Sequence, residues 1–400
     1  MKNSEEVKSE MKNFRDNVES KIGSLLNKNK KDRTPAQVVV QDVIKAKKGE
    51  RALIIANPAT SEIAQDIYNA CEEAGCIPSL IFQPDKTSFD NANAEVLAAI
   101  KSGPEICCSI SNIKLGKDPD ATANPYKTAD GQEFSHIFDY LLDGKKTMRG
   151  IWTPGITPDM MNRTAAIDYK ELQNRCKKLA ELFKDAESVH VTAPAGTDLL
   201  VPVKGRALLF DDGDFSTPGS GGNIPAGEVF ISPVVGYAEK GIAGCEGVIV
   251  YDGSMTFSDG DSILETPITC KVEKGYVTSI TGAAEAKRLL KTITEAETRA
   301  IALEKEKKLP AGQGEIYKRN ARNIGELGIG LNPAARITGN MLEDEKAFHT
   351  CHFAIGENYD NDAPSLIHLD GVVREPTIVI KYTGSSKPDA VILKDGQLQI

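Results

Sequence analysis

Between residues 35 and 186, short apolar runs alternate with stretches of helical periodicity, and this alternation constrains the fold more than any other feature. Residues 52–56 form an apolar run, and the stretch 61–74 that follows carries Ile63, Ile67 and Cys71 at steps of four. Further apolar runs occur at 79–82, 106–110 and 147–153. Apolar runs separated by helices are typical of buried parallel strands. We therefore predict an open α/β sheet over residues 35–186.

An open α/β sheet often binds a nucleotide, but the glycine-rich sequences that such sites need do not occur in this chain. The first strand-to-helix turn, at 57–61, contains no glycine, and no G-x-x-x-x-G-K-[ST] motif is present. Glycines are required there because the backbone must approach a pyrophosphate closely. We interpret the amino-terminal sheet as a scaffold and as one wall of a substrate site.

The pattern becomes richer in strands after residue 186, which places a domain boundary there. Residues 187–400 are predicted to form an α+β domain with antiparallel strands, so the fold class is α/β with two domains. Residues 1–34 precede both domains, and apolar residues recur in them at steps of three and four: Met11, Phe14, Val18 and Ile22. This spacing predicts a helical amino-terminal extension with a narrow apolar stripe.

Charge and composition exclude several classes of function. The net charge of −9 and the lack of a basic stripe argue against a nucleic-acid partner. No apolar run approaches the roughly 20 residues of a membrane span, and the first residues lack a secretory signal. The eight cysteines form no C-x-x-C pair, so we expect buried thiols of a reduced compartment. We predict a cytoplasmic protein with neither a membrane nor a nucleic-acid partner.

The stretch 323–370 holds the residues that most resemble a metal site. It contains three of the five histidines, His349, His352 and His368, among several carboxylates. Imidazole and carboxylate together are ligands for divalent transition metals. His368 and Asp370 are two residues apart, so in a strand both would point to the same face. On spacing alone, an exposed His–Asp pair near a turn is an equally good interpretation.

Four motifs in the carboxy-terminal half resemble, in the right order, those of the aminopeptidase T family of metallopeptidases. They are the run Pro225–Phe230 (PAGEVF), the pair Gly325–Glu326, the run His352–Tyr359 (HFAIGENY) and the run His368–Asp370 (HLD). The segment 194–199 also resembles a family signature. The resemblance covers the chain from about Thr192 to the carboxy terminus.

The resemblance implies a metal-dependent aminopeptidase, a hydrolase that removes the amino-terminal residue of peptides. It implies two divalent ions per subunit, Co²⁺, Zn²⁺, Mn²⁺ or Mg²⁺, and a homodimer. The implied metal ligands are Glu228, Glu326, His352, His368 and Asp370, with Tyr359 as a further ligand or a hydrogen-bond donor. Three carboxylates and one hydroxide would balance the charge of two such ions, and the paired metals would activate the attacking water. Glu326 is the first candidate for the proton transfer, and with Tyr359 it forms the predicted catalytic pair.

Two other functions stay open at this point. An iron(II) ring-cleaving enzyme similar to 2,5-dihydroxypyridine dioxygenase shares this fold and would need one iron on His352, His368 and Asp370. The presence of Glu228 and Glu326 favours the two-metal hydrolase over it. A metal-binding homologue without peptidase activity is the third reading. His349 and Cys351 are interpreted as structural neighbours of the site.

Overall fold

The computed structural model describes residues 33–87, 90–237, 240–382, 384 and 387–400. The helix predicted within residues 1–34 lies almost entirely outside the described residues. Three large sheets and one two-stranded ribbon build the described part of the chain.

The first sheet is parallel and has five strands, four of which are the apolar runs predicted within residues 35–186. Its spatial order is β2 (Ile77–Phe82), β1 (Arg51–Ala56), β3 (Ile106–Ile110), β6 (Arg149–Trp152) and β10 (Gly221–Asn223). Ile54 faces one apolar cluster while Leu53 and Ile55 face another, because successive side chains of a strand point to opposite faces. Both faces of the central strands β1 and β3 are therefore buried, while the edge strand β2 is partly exposed.

The other two large sheets are antiparallel. The seven-stranded sheet has the order β14 (Gly260–Ile263), β13 (Ser254–Phe257), β19 (His368–Arg374), β18 (Thr350–Gly356), β17 (Ile324–Gly330), β11 (Glu228–Ile231) and β9 (Leu209–Asp211). The eight-stranded sheet has the order β16 (Tyr276–Thr281), β15 (Ile268–Glu273), β12 (Glu246–Tyr251), β8 (Asp198–Pro202), β7 (Ser188–Thr192), β20 (Thr377–Lys381), β21 (Ala390–Lys394) and β22 (Gln397–Leu398). Strands β4 (Tyr126–Lys127) and β5 (Glu133–Phe134) form the ribbon.

The longer helices lie where apolar residues recur at helical spacing. Helix Tyr169–Phe183 buries Leu172, Cys176 and Leu179 on one face, and Asp168 caps its first turn through the amides of Lys170 and Glu171. The other α-helices of the described residues are Pro35–Val38, Ser61–Glu73, Ala94–Lys101, Pro119–Ala123, Ile137–Asp139, Pro158–Thr164, Ala284–Lys305, Gln313–Asn320 and Met341–Asp344. Two π-helical turns, Val39–Val43 and Tyr140–Gly144, and a 3₁₀ turn, Pro58–Thr60, complete the set.

The predicted domain boundary at residue 186 does not separate the sheets, because a later segment of the chain joins the amino-terminal sheet. Strand β10 pairs in parallel with β6, so a segment from beyond the boundary completes the amino-terminal sheet. One apolar cluster also contains Ile54 of the parallel sheet, Val189 of the eight-stranded sheet and Phe353 of the seven-stranded sheet. The mixed α/β character is confirmed, while a shared core joins the parts that the sequence separates. Within the described residues, no helix has the length and apolar character that crossing a membrane requires.

Candidate metal centre

Four adjacent strands carry the predicted ligands on one face of the seven-stranded sheet. Glu326 lies opposite Ala354, and Ala354 lies opposite Asp370. His352 pairs with Gly328 in the next row, and His368 pairs with Gly356. Residues paired across strands share a face, as do residues two apart on one strand. Glu228, opposite Gly330, joins the same face from β11.

Small residues alternate with the ligands and leave room for their side chains. A Cβ at Gly328 would lie 1.9 Å from Nε2 of His352, so a glycine is needed opposite this imidazole. The register shifts between Ile324 and Glu326, which makes Gly325 part of a β-bulge beside Glu326. The opposite face of these strands carries Phe353 and Ile355, which are fully buried in the apolar core. The core holds the strands in register and thereby positions the polar face.

Glu326 connects the two histidines. Its Oε1 lies 3.0 Å from Nε2 of His352, and its Oε2 lies 3.3 Å from Nε2 of His368. Nε2 of His368 is also 3.3 Å from Oδ1 of Asp370, and Nε2 of His352 is 3.4 Å from Oε2 of Glu228. The five predicted ligands therefore form one contiguous cluster.

A backbone carbonyl orients the ring of His368. Nδ1 of His368 lies 2.9 Å from the carbonyl oxygen of Glu357, which accepts a hydrogen bond when Nδ1 carries the proton. That tautomer leaves Nε2 as a free electron-pair donor on the cluster side. Nδ1 of His352 is buried without a hydrogen-bond partner.

The donor atoms of the cluster suit a cation. Oε2 of Glu228 and Oδ1 of Asp370 are buried and accept no hydrogen bond of normal geometry, although histidine Nε2 atoms lie 3.4 and 3.3 Å away. Buried anionic atoms of this kind are costly unless a positive charge, a protonated imidazole or a cation, compensates them. Among the described residues, three sets of donor atoms lie within 4.8 Å of one another: Glu228–Glu326–His352, Glu326–His368–Asp370 and Glu345–His352–Asp370. None of these three sets contains both histidines.

Protons balance the charge of the cluster when no metal ion is bound. Burial alone would lower the pKa of His352, but the hydrogen bond with Glu326 and the charge of Glu228 raise it to about 9. Burial alone would likewise raise the pKa of Asp370, but the adjacent His368 holds it below its usual range. Metal binding needs neutral imidazoles, so a cation would displace these protons.

A buried lysine, which the sequence analysis did not single out, borders the cluster. Lys346 is fully buried, with Nζ 2.8 Å from Oε1 of Glu228 and 3.6 Å from Oδ2 of Asp211, and it also contacts Glu345. Burial would lower the pKa of this lysine, but the three carboxylates raise it well above the usual value. Lys346 is therefore a fixed positive charge at the Glu228 end of the cluster. One sequence feature could have identified this lysine: it follows three acidic residues, 343–345, and precedes the strand that carries His352.

The remaining polar residues of this stretch take structural positions. Glu343 accepts hydrogen bonds from Arg163, and Asp344 accepts them from the amides of Thr338 and Gly339. His349 lies just before β18 with a φ of +70°, and its Nδ1 is 2.8 Å from the carbonyl oxygen of Gly396. It is not part of the cluster.

Tyr359 forms an aromatic wall beside the cluster. Its ring stands edge-on to the ring of His368, with centroids 5.4 Å apart, and lies 4.9 Å from the ring of Phe230. The residue is 54% exposed, so it lines the open side of the site.

Cys351 is fully buried, and burial raises its pKa far above that of a reactive thiol.

Comparisons with known proteins show a likeness to the 2,5-dihydroxypyridine dioxygenases. The model of the NicX family, described as 2,5-dihydroxypyridine 5,6-dioxygenase, matches residues 155–380. The 2,5-dihydroxypyridine 5,6-dioxygenase of Pseudomonas putida strain KT2440 is 27% identical over 169 residues. That alignment spans 41% of this chain and 39% of the relative, so it covers less than half of either protein.

Two solved structures share the fold. The structure of 2,5-dihydroxypyridine dioxygenase from Pseudomonas putida KT2440 superposes with a TM-score of 0.63 and 17% identity, covering 91% of this chain and 96% of that one. Wild-type AmpT from Thermus thermophilus superposes with a TM-score of 0.61 and 14% identity, covering 92% and 98%. At these identities the likeness shows the fold alone.

These findings overturn the assignment that the sequence motifs favoured. The aminopeptidase T family, the peptide hydrolase function and the metalloprotease class are wrong, because the family model and the curated relative are both dioxygenases. The predicted pair of Co²⁺, Zn²⁺, Mn²⁺ or Mg²⁺ ions is wrong for the same reason. Relatives that are dioxygenases suggest iron in place of that pair.

Proposed function

This chain belongs to the NicX (2,5-dihydroxypyridine 5,6-dioxygenase) family, and on that premise we propose that it is an iron(II)-dependent dioxygenase that opens a dihydroxylated pyridine ring. The observation that carries the proposal is the extent of the family match. The matched segment, 155–380, contains Glu228, Glu326, His352, Tyr359, His368 and Asp370.

The residues that would hold the iron are Glu326, His368 and Asp370, one of the three sets whose donor atoms converge within 4.8 Å. Oδ1 of Asp370 and the oriented Nε2 of His368 lie 3.3 Å apart and fit a divalent cation that would replace the shared proton. Bound iron(II) would supply the redox chemistry by which dioxygen reacts with an aromatic ring. His352 would be either a further nitrogen ligand or the hydrogen-bond partner that orients Glu326.

The other groups of the site would bind and orient the substrate. A flat heteroaromatic ring suits the aromatic wall of Tyr359 and Phe230, because stacked and edge-on ring pairs are favourable at such separations. Glu326 contacts both imidazoles, so we propose that it positions them and does not transfer a proton to a leaving group. Lys346, with Nζ 2.8 Å from Oε1 of Glu228, would hold this carboxylate in place at the edge of the site.

The proposal is tested by measuring oxygen uptake. The full chain is stripped with a chelator, reloaded with iron(II) without air, and mixed with 2,5-dihydroxypyridine and dioxygen. We expect consumption of one dioxygen per ring opened, and both atoms of labelled dioxygen in the product by mass spectrometry. If protein that binds iron(II) shows no oxygen uptake and forms no product, the proposal is refuted.

A matched pair of histidine variants separates loss of the site from a general effect. His368→Ala should abolish oxygen uptake and lower the iron content. His190→Ala should change neither, although His190 is also paired with an aspartate, Asp198, at 2.7 Å. Equal activity in the two variants would remove His368 from the site. The predicted homodimer is a separate proposal, which light scattering of the same preparation would decide.

A further inference from the structure

A second cavity lies at the edge of the parallel sheet, away from the metal cluster. It has a volume of about 550 Å³, within the range of small-molecule sites, and none of the predicted metal ligands lines it. Its lining includes Ser109 and Ser111 from the end of β3 and Trp152 and Thr153 from the end of β6. These are the carboxyl ends of parallel strands, where open α/β sheets bind their ligands.

One side chain of the lining is buried and has no partner. Thr153 is 1% exposed, and its Oγ1 makes no hydrogen bond within the described protein. A buried hydroxyl without a partner costs free energy that a valine of the same shape would avoid. The hydroxyl therefore indicates a ligand atom that accepts or donates a hydrogen bond at this position.

The neighbouring polar atoms are mainly donors. The amide of Phe138 donates to Nδ1 of His136 at 3.0 Å, so the proton of the neutral ring is on Nε2. Nε2 is buried, and although the backbone of Gly116 lies near the ring, no hydrogen bond of normal geometry satisfies it. The hydroxyls of Ser109 and Ser111 bond to each other at 2.8 Å, which leaves one hydroxyl proton free to donate. Lys114 adds a positive charge to the lining.

The rest of the lining is aromatic and apolar. Phe138 and Trp152 meet edge to face, with centroids 6.1 Å apart, and Leu142 lies with them on the cavity wall. Asp139 and Asp143 also line the cavity and are exposed to solvent. Two carboxylates disfavour a ligand with more than one negative charge. The lining therefore suits an apolar or aromatic body that carries a single acceptor group.

We propose that this cavity binds a small aromatic monocarboxylate, with its ring against Trp152 and Phe138 and its carboxylate on Thr153, His136 and the serine pair. The site is distinct from the metal cluster and does not depend on the proposed reaction. Because none of the predicted metal ligands lines the cavity, an aromatic acid bound there would not be the compound whose ring is opened.

The test uses Trp152, the only tryptophan of the chain, as the reporter. The full chain is titrated with benzoate while the tryptophan emission is followed. We expect a saturable change that benzamide and inorganic phosphate do not produce. Absence of any change into the millimolar range of benzoate, or an equal response to phosphate, would overturn the proposal.

Three variants assign the response to the cavity. Thr153→Val should weaken benzoate binding by about tenfold or more, because a hydrogen bond to a charged group is lost. Thr147→Val changes an exposed threonine before the same strand, outside the lining, and should leave the affinity unchanged. Asp370→Asn, at the metal cluster, should also leave it unchanged.

The same variants define what would contradict the assignment. A loss of affinity in Asp370→Asn would mean that benzoate binds at the metal cluster, and equal losses in both threonine variants would mean that the effect is not local. Without benzoate, Thr153→Val should melt at the same temperature as the wild type or higher, which verifies that this variant folds. Unchanged benzoate affinity in folded Thr153→Val would refute the placement of the carboxylate.

Discussion

Replacing Lys346 with methionine removes a buried positive charge that compensates the carboxylates at the Glu228 end of the site. Nζ of Lys346 lies 2.8 Å from Glu228 and 3.6 Å from Asp211. With an effective dielectric constant of about 20, unit charges 2.8 Å apart attract by about 6 kcal/mol, whereas a pKa of about 8 leaves Asp211 mostly protonated and only weakly attracted at neutral pH. Desolvation of the ammonium group offsets much of this attraction, and removal of one partner of a buried ion pair costs about 3–5 kcal/mol.

We therefore expect Lys346→Met to lower the free energy of unfolding of the metal-free protein by about 3–5 kcal/mol at neutral pH. Protonation limits the loss, because burial already raises the pKa values of Asp211 and Glu345 to about 8. Urea unfolding of the metal-free variant and wild type measures the difference. A bound divalent cation should recover part of it, so iron(II) should raise the melting temperature of the variant more than that of the wild type.

Arg149→Met is the matched control for the loss of a buried cation. Arg149 is also buried and donates two hydrogen bonds to Glu50, at 3.1 and 2.7 Å, at the amino-terminal end of the parallel sheet. This variant should be destabilised as well, but iron(II) should stabilise it only as much as the wild type. If Lys346→Met were as stable as the wild type, or if iron(II) shifted all three proteins equally, the electrostatic account of this residue would be refuted.

Three further outcomes follow from individual contacts. Gly328→Ala should displace His352 and lower iron(II) affinity by about tenfold or more in a titration, since the added Cβ would lie 1.9 Å from Nε2; unchanged affinity would mean that His352 is not needed. Burial would raise the pKa of Glu50, but the hydrogen bonds from Arg149 lower it, so the stability advantage of wild type over Arg149→Met should be full above the ordinary glutamate pKa of about 4.3 and shrink as the pH falls below it. A constant difference across that range in urea unfolding would contradict this. Iodoacetamide should leave Cys351 unmodified in the native protein, because the thiol is fully buried and its pKa is raised; labelling found by mass spectrometry without unfolding would contradict the structure.

The composition of the site was readable from the sequence, but its reaction was not. His352, His368 and Asp370 are residue types that would suit either chemistry, and the fold is similar to solved structures of a dioxygenase and of AmpT alike. The short motifs favoured a peptidase because Glu228 and Glu326 suggested a second metal ion. In the structure, Glu228 forms an ion pair with Lys346, and Glu326 lies between the imidazoles of His352 and His368. The family match over 155–380 then favours the dioxygenase.

Local periodicity determined the secondary structure. The apolar runs became β1, β2, β3 and β6, and the central strands β1 and β3 are mostly apolar because both of their faces are buried. The spacing of His368 and Asp370 correctly placed both residues on one face of β19, since the side chains of a strand alternate. These features depend on residues a few positions apart, and one sequence contains all of that information.

Only the tertiary structure decided which distant residues meet. Lys346 reaches Glu228 across 118 positions and also contacts Asp211, and β10 returns from beyond residue 186 to complete the parallel sheet. No periodicity relates such residues, because their contact is set by the packing of whole sheets on a shared core. From the sequence alone, a lysine beside three acidic residues is expected on the solvent-exposed surface. Burial within the fold makes it instead the fixed cation of the site.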